Sequence, residues 1–521
     1  MPYPRNFYLL RRSFAITVVG LLAVQIALSQ PRGAAPRQLY TPSSTSAQKL
    51  ALTGLQTIEN DVIRVGVDTR YGGALTYLAF KDSHNGQVRT ENMVNNPDLG
   101  RQVQIALYGG PLDYSRNGAP AWSGLGWNPI QAGDTYNNPS EVLAIQKETN
   151  LLYVKTIPKQ FGINNEPGEA TIEHWLRLEG NVVKVHAKAV MYRSDKTMYE
   201  ARQQEMPCAY LNGDYHNMWY YRGGRPFTND NLDLVRPPTG FGDVFPTEPW
   251  MASTNDHGYG VGLYVRNNYD WKKGYFGSDL AGNEFSGDAS YIAATNFVLL
   301  DHNLVHEWDY ELVVGHLSEI RAYIYNQPRP LPGPNYRFDT SRKGWYYYRA
   351  QDTGWPINGK LHIILNDKSN DQIKSPFAFW KGRDNPKLYL RAAFQTQHDK
   401  FRLNWRRTED VTIYPSGDRM ADFPIINDGQ FHTYEIDLSK NDNWLNYNIG
   451  QLVFRPVFDG PSINGWAEFE WISTSPDGPI NDVPPIKDPP IVEKPTEVPC
   501  EPGCVPVRSQ RVRYIAGNRK L

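Results

Sequence analysis

The side chains able to do chemistry gather in a few polar stretches of the first half of the sequence. Residues 95–110 read NNPDLGRQVQIALYGG, which sets a carboxylate, Asp98, three residues before a fixed cation, Arg101, among the amides of Asn95, Asn96 and Gln104. WSGLGWNPIQAGD carries Trp122, Trp127, Asn128, Gln131 and Asp134; ARQQEMPCAYL carries Glu205; GDYHNMWYY carries His216; PTEPW carries Trp250. Sugar rings offer C–H faces that stack on aromatic rings, and hydroxyls that need carboxylate, amide and guanidinium partners. This mixture therefore suits a polyol. Catalysis would need two groups with separated pKa values facing one cleft. A glycosidase would use two carboxylates ~5–9.5 Å apart. Asp98, Asp134 and Glu205 are the candidates, with His216 as the acid–base histidine. Asn95, Arg101, Gln104, Trp122, Trp127, Asn128, Gln131 and Trp250 are the candidate saccharide contacts.

Each candidate has a plainer alternative. Asp98 and Arg101 could be a surface ion pair, and such pairs contribute little. Loop carboxylates often bind their own backbone, and most of the 14 tryptophans should pack in cores. His174 shares a strand face with Ile172, Leu176 and Leu178 and reads as a core histidine. The run Asp230-Asn231-Leu232-Asp233 lacks the Gly and Glu of a calcium loop and reads as a solvated turn. A lyase would need a Tyr or His base and a cation for a uronate, such as Arg101 or Arg202.

The elements that must position these groups read as strands. At 521 residues the chain has room for two or more cores, and 43 Gly with 39 Pro fit a turn-rich β protein. A net charge of −1 argues against nucleic acid as the main partner. Alternation predicts strands over 61–68, 74–80, 151–157, 169–178, 182–190, 259–266, 296–300 and 308–315, with two helical turns at 318–325. Residues 58–326 thus form a large two-sheet sandwich, and the proline-rich 327–335 is a stiff linker. Strands at 387–394, 400–405, 431–438, 451–458 and 466–472 place a second antiparallel unit at 336–475, the size of a jelly roll. The fold class is all-β.

At the N-terminus, Arg5, Arg11 and Arg12 precede an apolar run to Leu28, with Ala27 and Ser29 at the positions for cleavage. Residues 1–29 read as an export signal, placing the mature chain outside the cell, in a periplasm or at a cell surface. Residues 30–57 read as a mobile lead-in, and 476–521 as an extended proline-rich tail. No later stretch has the ~20 apolar residues of a membrane span. Cys500 and Cys504 could close a local disulfide in an oxidising compartment, whereas zinc would want further ligands. Cys208 reads as a buried, inert thiol.

IRVGVDTRYGGALTYLAF, NNPDLGRQVQIALYGG, WNPIQAGD and QQEMP together resemble the galactose-mutarotase-like supersandwich of aldose epimerases and of accessory domains in glycosidases and lyases. The resemblance covers residues 58 to about 325. It implies a sugar held beside an Asn and an Arg of the second segment. The family's Asn-His-Thr-type signature is absent, as is a late Gln-Pro-Glu-like segment, so ordinary mutarotase chemistry does not follow. DGQFHTYEIDLS, NWLNYNIGQLVFRPVF and GWAEFEWIS resemble carbohydrate-binding jelly rolls, for which a structural calcium is the one metal the resemblance admits. No other cofactor and no metal site is expected. The sequence thus reads as an exported carbohydrate-active protein that binds a saccharide in the first unit, with glycoside hydrolysis as the chemistry if it turns substrate over. A pure binding protein, a polysaccharide lyase and a structural envelope protein are the alternatives.

Overall fold

Antiparallel strands make up almost all regular structure in this computed structural model, which describes residues 53–480 apart from 82, 85–86, 89–90, 116, 366–370, 411–417 and 458–464. Residues 1–29, expected as an export signal, most of the expected lead-in, nearly all of the proline-rich tail and the Cys500–Cys504 pair lie outside the described residues. Two large sheets come first. One has ten strands, with Leu55–Glu59, Ile63–Asp68, Ala74–Phe80, Val103–Ala106, Arg202–Asn212, Ala289–Val298, Trp271–Phe276 and Gly242–Val244 side by side in that order. The other has nine, running through Trp250–Thr254, Tyr259–Tyr264, Val305–His316, Val182–Met191, Ala170–Glu179, Leu151–Ile157 and Glu141–Glu148. The chain is all-β, as its alternating patterns predict.

Alternation decides which face of each strand is covered. Along Ala170–Glu179 every second side chain is buried, and these meet Val183, Val185, Leu312 and Val314 in the cores of the sandwich. His174 is one of them. It is 1% exposed, and burial pulls its imidazole down to about 3, so it is a neutral core histidine. The turn that returns Ile63–Asp68 into Ala74–Phe80 needs Gly72 and Gly73, both at positive φ; a Cβ on Gly72 would meet the Gln131 carbonyl oxygen at 2.2 Å. A strand also begins at Leu55, inside the stretch expected as lead-in, and pairs along Ile63–Asp68.

The largest departure from the sequence pattern is Arg202–Asn212. It was expected as loop and is a central strand of the ten-stranded sheet, pairing Ala289–Val298 on one side and Val103–Ala106 on the other. Its register breaks between Glu205 and Cys208, where Met206 and Pro207 intervene. Proline has no N–H for the ladder, so a strand that contains it bulges. That bulge hides the period of two. Trp250, expected in a loop, likewise opens a strand and is wholly buried.

Residues 335–473 build two six-stranded sheets around a second core that includes Phe338, Trp345, Trp405, Trp444 and Phe469. This second pair of sheets is fastened to the first. Arg342 reaches Asp301 of the first sandwich and Asp352 of its own, the latter at 2.6 Å, and all three side chains are nearly sealed from water. Phe297 lies flat on Tyr346, 4.9 Å between ring centres and 11° from parallel. The Arg406 guanidinium sits 4.2 Å from the Phe245 ring centre and 5.0 Å from that of Phe377. Among the described residues no helix is long and apolar enough to cross a membrane.

Candidate functional site

Glu205 stands on the outer face of the ten-stranded sheet. On the inner face Val103, Ala209, Leu211, Ile292 and Ala294 join the main core. The side chains between them, Cys208, Tyr210, Tyr291 and Ala293, form a separate cluster that must therefore lie on the opposite face. Glu205 belongs with these. It pairs Thr295 and Ala106 across the two neighbouring strands, and its Oε1 accepts a hydrogen bond from the Tyr291 hydroxyl at 2.6 Å. Tyr108 reaches the same carboxyl.

Burial raises Glu205 above the ordinary glutamate range, against the pull of Tyr291, Tyr108 and the nearby Lys272 charge. The same burial, together with the Glu205 charge, holds the Tyr108, Tyr210 and Tyr291 hydroxyls well above the usual tyrosine value. At neutral pH these phenols donate hydrogen bonds; they are not bases.

Aromatic rings and cations surround it. Tyr210 lies 4.9 Å from Tyr291 and 5.8 Å from Phe276, while Phe241, half exposed, lies 4.6 Å from Phe276 and 5.1 Å from Tyr291. Arg101 places its guanidinium 4.7 Å from the Phe276 ring centre, and Arg202 lies 5.5 Å from that of Tyr108. Arg202 also donates to the Gly109 and Leu125 carbonyls, which fixes its position. On the same strand Gln203 bridges Lys272, 2.7 Å away, and Asp270 at 3.0 Å. Asp270 is 1% exposed, and burial pushes its carboxyl up to about 7.

Of the sequence candidates, Glu205 and Arg101 are brought to this face. Gln104 lies behind it, with Nε2 donating to the Gly100 carbonyl and Oε1 accepting from Ala132 N, so both ends serve the backbone. Asp98 accepts from Arg101 Nε at 3.1 Å and lines a neighbouring pocket. Asn95 is fully buried, with Nδ2 on the Ser286 carbonyl.

The other candidates go elsewhere. Asp134 is wholly buried, and its oxygens accept from the backbone of Tyr136, Asn138 and Asn165 and from the Asn138 amide, which leaves neither oxygen facing a cleft. His216 has both ring nitrogens against oxygen acceptors, Leu280 O at 3.2 Å and Asp256 Oδ1 at 3.1 Å, which fixes it as a loop brace. Trp127 and Trp250 are core residues, the latter with its indole N–H on Glu248 Oε2. Asn128 donates to the Leu107 carbonyl, and Gln131 lies inside, against Gly73 and His174. Trp122 is exposed, packed edge-on against Phe161.

Sequence reasoning missed Tyr210, Phe241, Phe276 and Tyr291 as partners of Glu205. The signal that could have found them is an aromatic at alternate positions in strands whose other face is small or aliphatic, as in ASYIAATNFV. Among the described residues no group of three or more His, Cys, Asp or Glu side chains is placed to hold a metal ion.

No protein-family model matches this sequence, and no curated protein matches it. Solved structures do. A galactose mutarotase related enzyme from Lactobacillus acidophilus is similar at 12% identity over 50% of this chain and 97% of that chain, with a TM-score of 0.32. A galactose mutarotase-like protein from Lactobacillus casei is similar at 11% identity over 50% and 100% of the two chains, TM-score 0.31. An alpha-galactosidase from Lactobacillus brevis is similar at 9% identity over 52% of this chain and 41% of its own, TM-score 0.29. Likenesses this distant leave the site to be argued from this chain's own residues.

Proposed function

We propose that the outer face around Glu205 binds a saccharide, and that this chain is an exported carbohydrate-binding protein. The observation that carries the reading is one carboxyl held by two tyrosine hydroxyls, with a wall of aromatic rings on one side that ends in the half-exposed Phe241, and two fixed guanidinium groups around it. The wall supplies faces for sugar C–H groups; Glu205, the phenols and the arginines supply partners for hydroxyls or a uronate. Binding is favoured over hydrolysis by the fate of the other carboxylates. Asp134 is fully occupied in its loop, Asp98 is paired with Arg101 and Asp243 with Lys272, and Asp270 is sealed, so each is already engaged or shut away from Glu205. The raised tyrosines weigh against a phenolate-based lyase.

Export rests on the arginines and apolar run of residues 1–29. A second saccharide-binding module in 336–475 rests on the resemblance of its sequence to carbohydrate-binding jelly rolls. The test is an oligosaccharide array, with the mature protein probed for retention, for new reducing ends and for unsaturated-product absorbance. Retention without products, weakened severalfold in Phe241→Ala and lost in Glu205→Gln, is the expected result. Release of reducing ends that disappears in Glu205→Gln would replace binding with hydrolysis. No retention of any saccharide would end the proposal.

A further inference from the structure

A second concavity lies on the other arm of Arg101. Its volume is about 380 Å³, within the range of small-ligand sites. Its wall includes Tyr71, Thr76, Asn96, Asp98, Glu284 and Phe285. The segment bearing Glu284 and Phe285 is tied to the segment bearing Asn96 and Asp98 by three hydrogen bonds: Asn96 N to Glu284 O, Asn95 Nδ2 to Ser286 O, and Arg101 Nη1 to Gly287 O. The two sides of the hollow are therefore held at a fixed spacing, independently of any ligand.

Charge in this hollow does not balance. Asp68 is held by Arg70 and Asp98 by Arg101. Among the described residues Glu284 has no Lys or Arg partner; it has the Asn92 amide, and Glu91 adds a second negative charge beside it. Asn96, 5% exposed, donates Nδ2 to the Thr76 and Val94 carbonyls and leaves Oδ1 without a partner. Phe285 stands two-thirds exposed at the rim and Tyr71 lies inside. The carboxylates Asp68, Asp98 and Glu284 outnumber the one lining cation, Arg70, and an aromatic face is open.

We infer that this pocket is a second ligand site, for a hydroxylated ammonium compound of the hexosamine class. The ammonium would sit between Glu284 and the Asn96 side, where it meets a carboxylate and the aromatic face of Phe285, and cations favour both. The sugar hydroxyls have Asp98 and Thr76 as partners. A neutral hexose fills the same volume but leaves Glu284 uncompensated, so the site separates the two by charge.

The experiment is calorimetry on the full chain at low salt and mildly acidic pH, with glucosamine, glucose and N-acetylglucosamine as probes. Glucosamine is expected to bind at least tenfold more tightly than either neutral sugar. Glu284→Gln is expected to remove that preference, and Phe285→Ala to weaken glucosamine severalfold, with unchanged melting temperatures. Equal affinity for the three sugars, absence of glucosamine binding, or loss in Glu205→Gln but not in Glu284→Gln would each overturn the inference. The last two leave the reading of the Glu205 face standing.

Discussion

Asp134 and Glu205 are both carboxylates set into the first sandwich away from bulk water, and they do opposite work. Asp134 sits in a loop whose N–H groups converge on it, so its charge is consumed in holding Tyr136, Asn138 and Asn165 in place. Glu205 sits on a strand whose own N–H groups belong to the ladder. Its neighbours are hydroxyls on side chains, and burial raises it toward the neutral form. The difference teaches that burial alone says little about a carboxylate's role; what counts is whether its donors are backbone, and so fixed, or side-chain, and so exchangeable with a ligand.

The largest expected effect tests the Asp134 side of that contrast. Asp134→Ala strands three backbone donors and should cost about 4–5 kcal/mol in urea unfolding. A loss below about 1 kcal/mol would mean that water replaces the carboxylate freely, and the contrast would fail. Next comes Asp270. Its folded pKa of about 7 lies above the unfolded value, so its contribution to stability is complete below the unfolded pKa and is lost as pH rises through 7. The stability difference between wild type and Asp270→Asn should therefore shift against the wild type by on the order of 4 kcal/mol between pH values below the unfolded carboxylate value of 3.8 and values above 7. A difference that stays flat across that range would show Asp270 to be ionised throughout.

Glu205→Gln keeps one acceptor oxygen for Tyr291 and replaces the other oxygen with an NH2 donor, so stability should fall by only about 1 kcal/mol while saccharide retention on the array falls at least tenfold. A large stability loss with retained binding would put Glu205 in the same class as Asp134. Smallest is Phe241→Ala. Its ring is half exposed, so melting should shift little, and binding should weaken by about 0.5–1.5 kcal/mol, read by titration with any saccharide the array identifies.

The sandwich was legible wherever one face of a strand is oily and the other wet. Ala170–Glu179 and Val182–Met191 follow that rule, and their predicted bounds differ from the observed ones by at most one residue at an end. Arg202–Asn212 was illegible because Pro207 breaks its period and because its outer face carries apolar and aromatic side chains, which erases polar-out alternation. The same reason explains the site. Glu205 and Arg101 stood out as charged residues among amides, but Tyr210, Phe241, Phe276 and Tyr291 come from four separate strand or turn segments. Only the pairing of Arg202–Asn212 with Ala289–Val298, and of that strand with Trp271–Phe276, puts them together. Asp134 misled for a related reason: an Asp in a Gly- and Asn-rich turn looks the same whether its oxygens face a cleft or its own backbone.

The clasp of Arg342 on Asp301 and Asp352, with Phe297 flat on Tyr346, bears on how the chain can be divided. The Pro-rich segment after residue 326 looks like a natural place to cut, yet either half made alone would carry a raw seam: Asp301 without its arginine and Phe297 without its partner ring on one side, and Arg342 and Tyr346 facing water on the other. Nicking that segment in the finished protein should leave the two sandwiches holding on to one another.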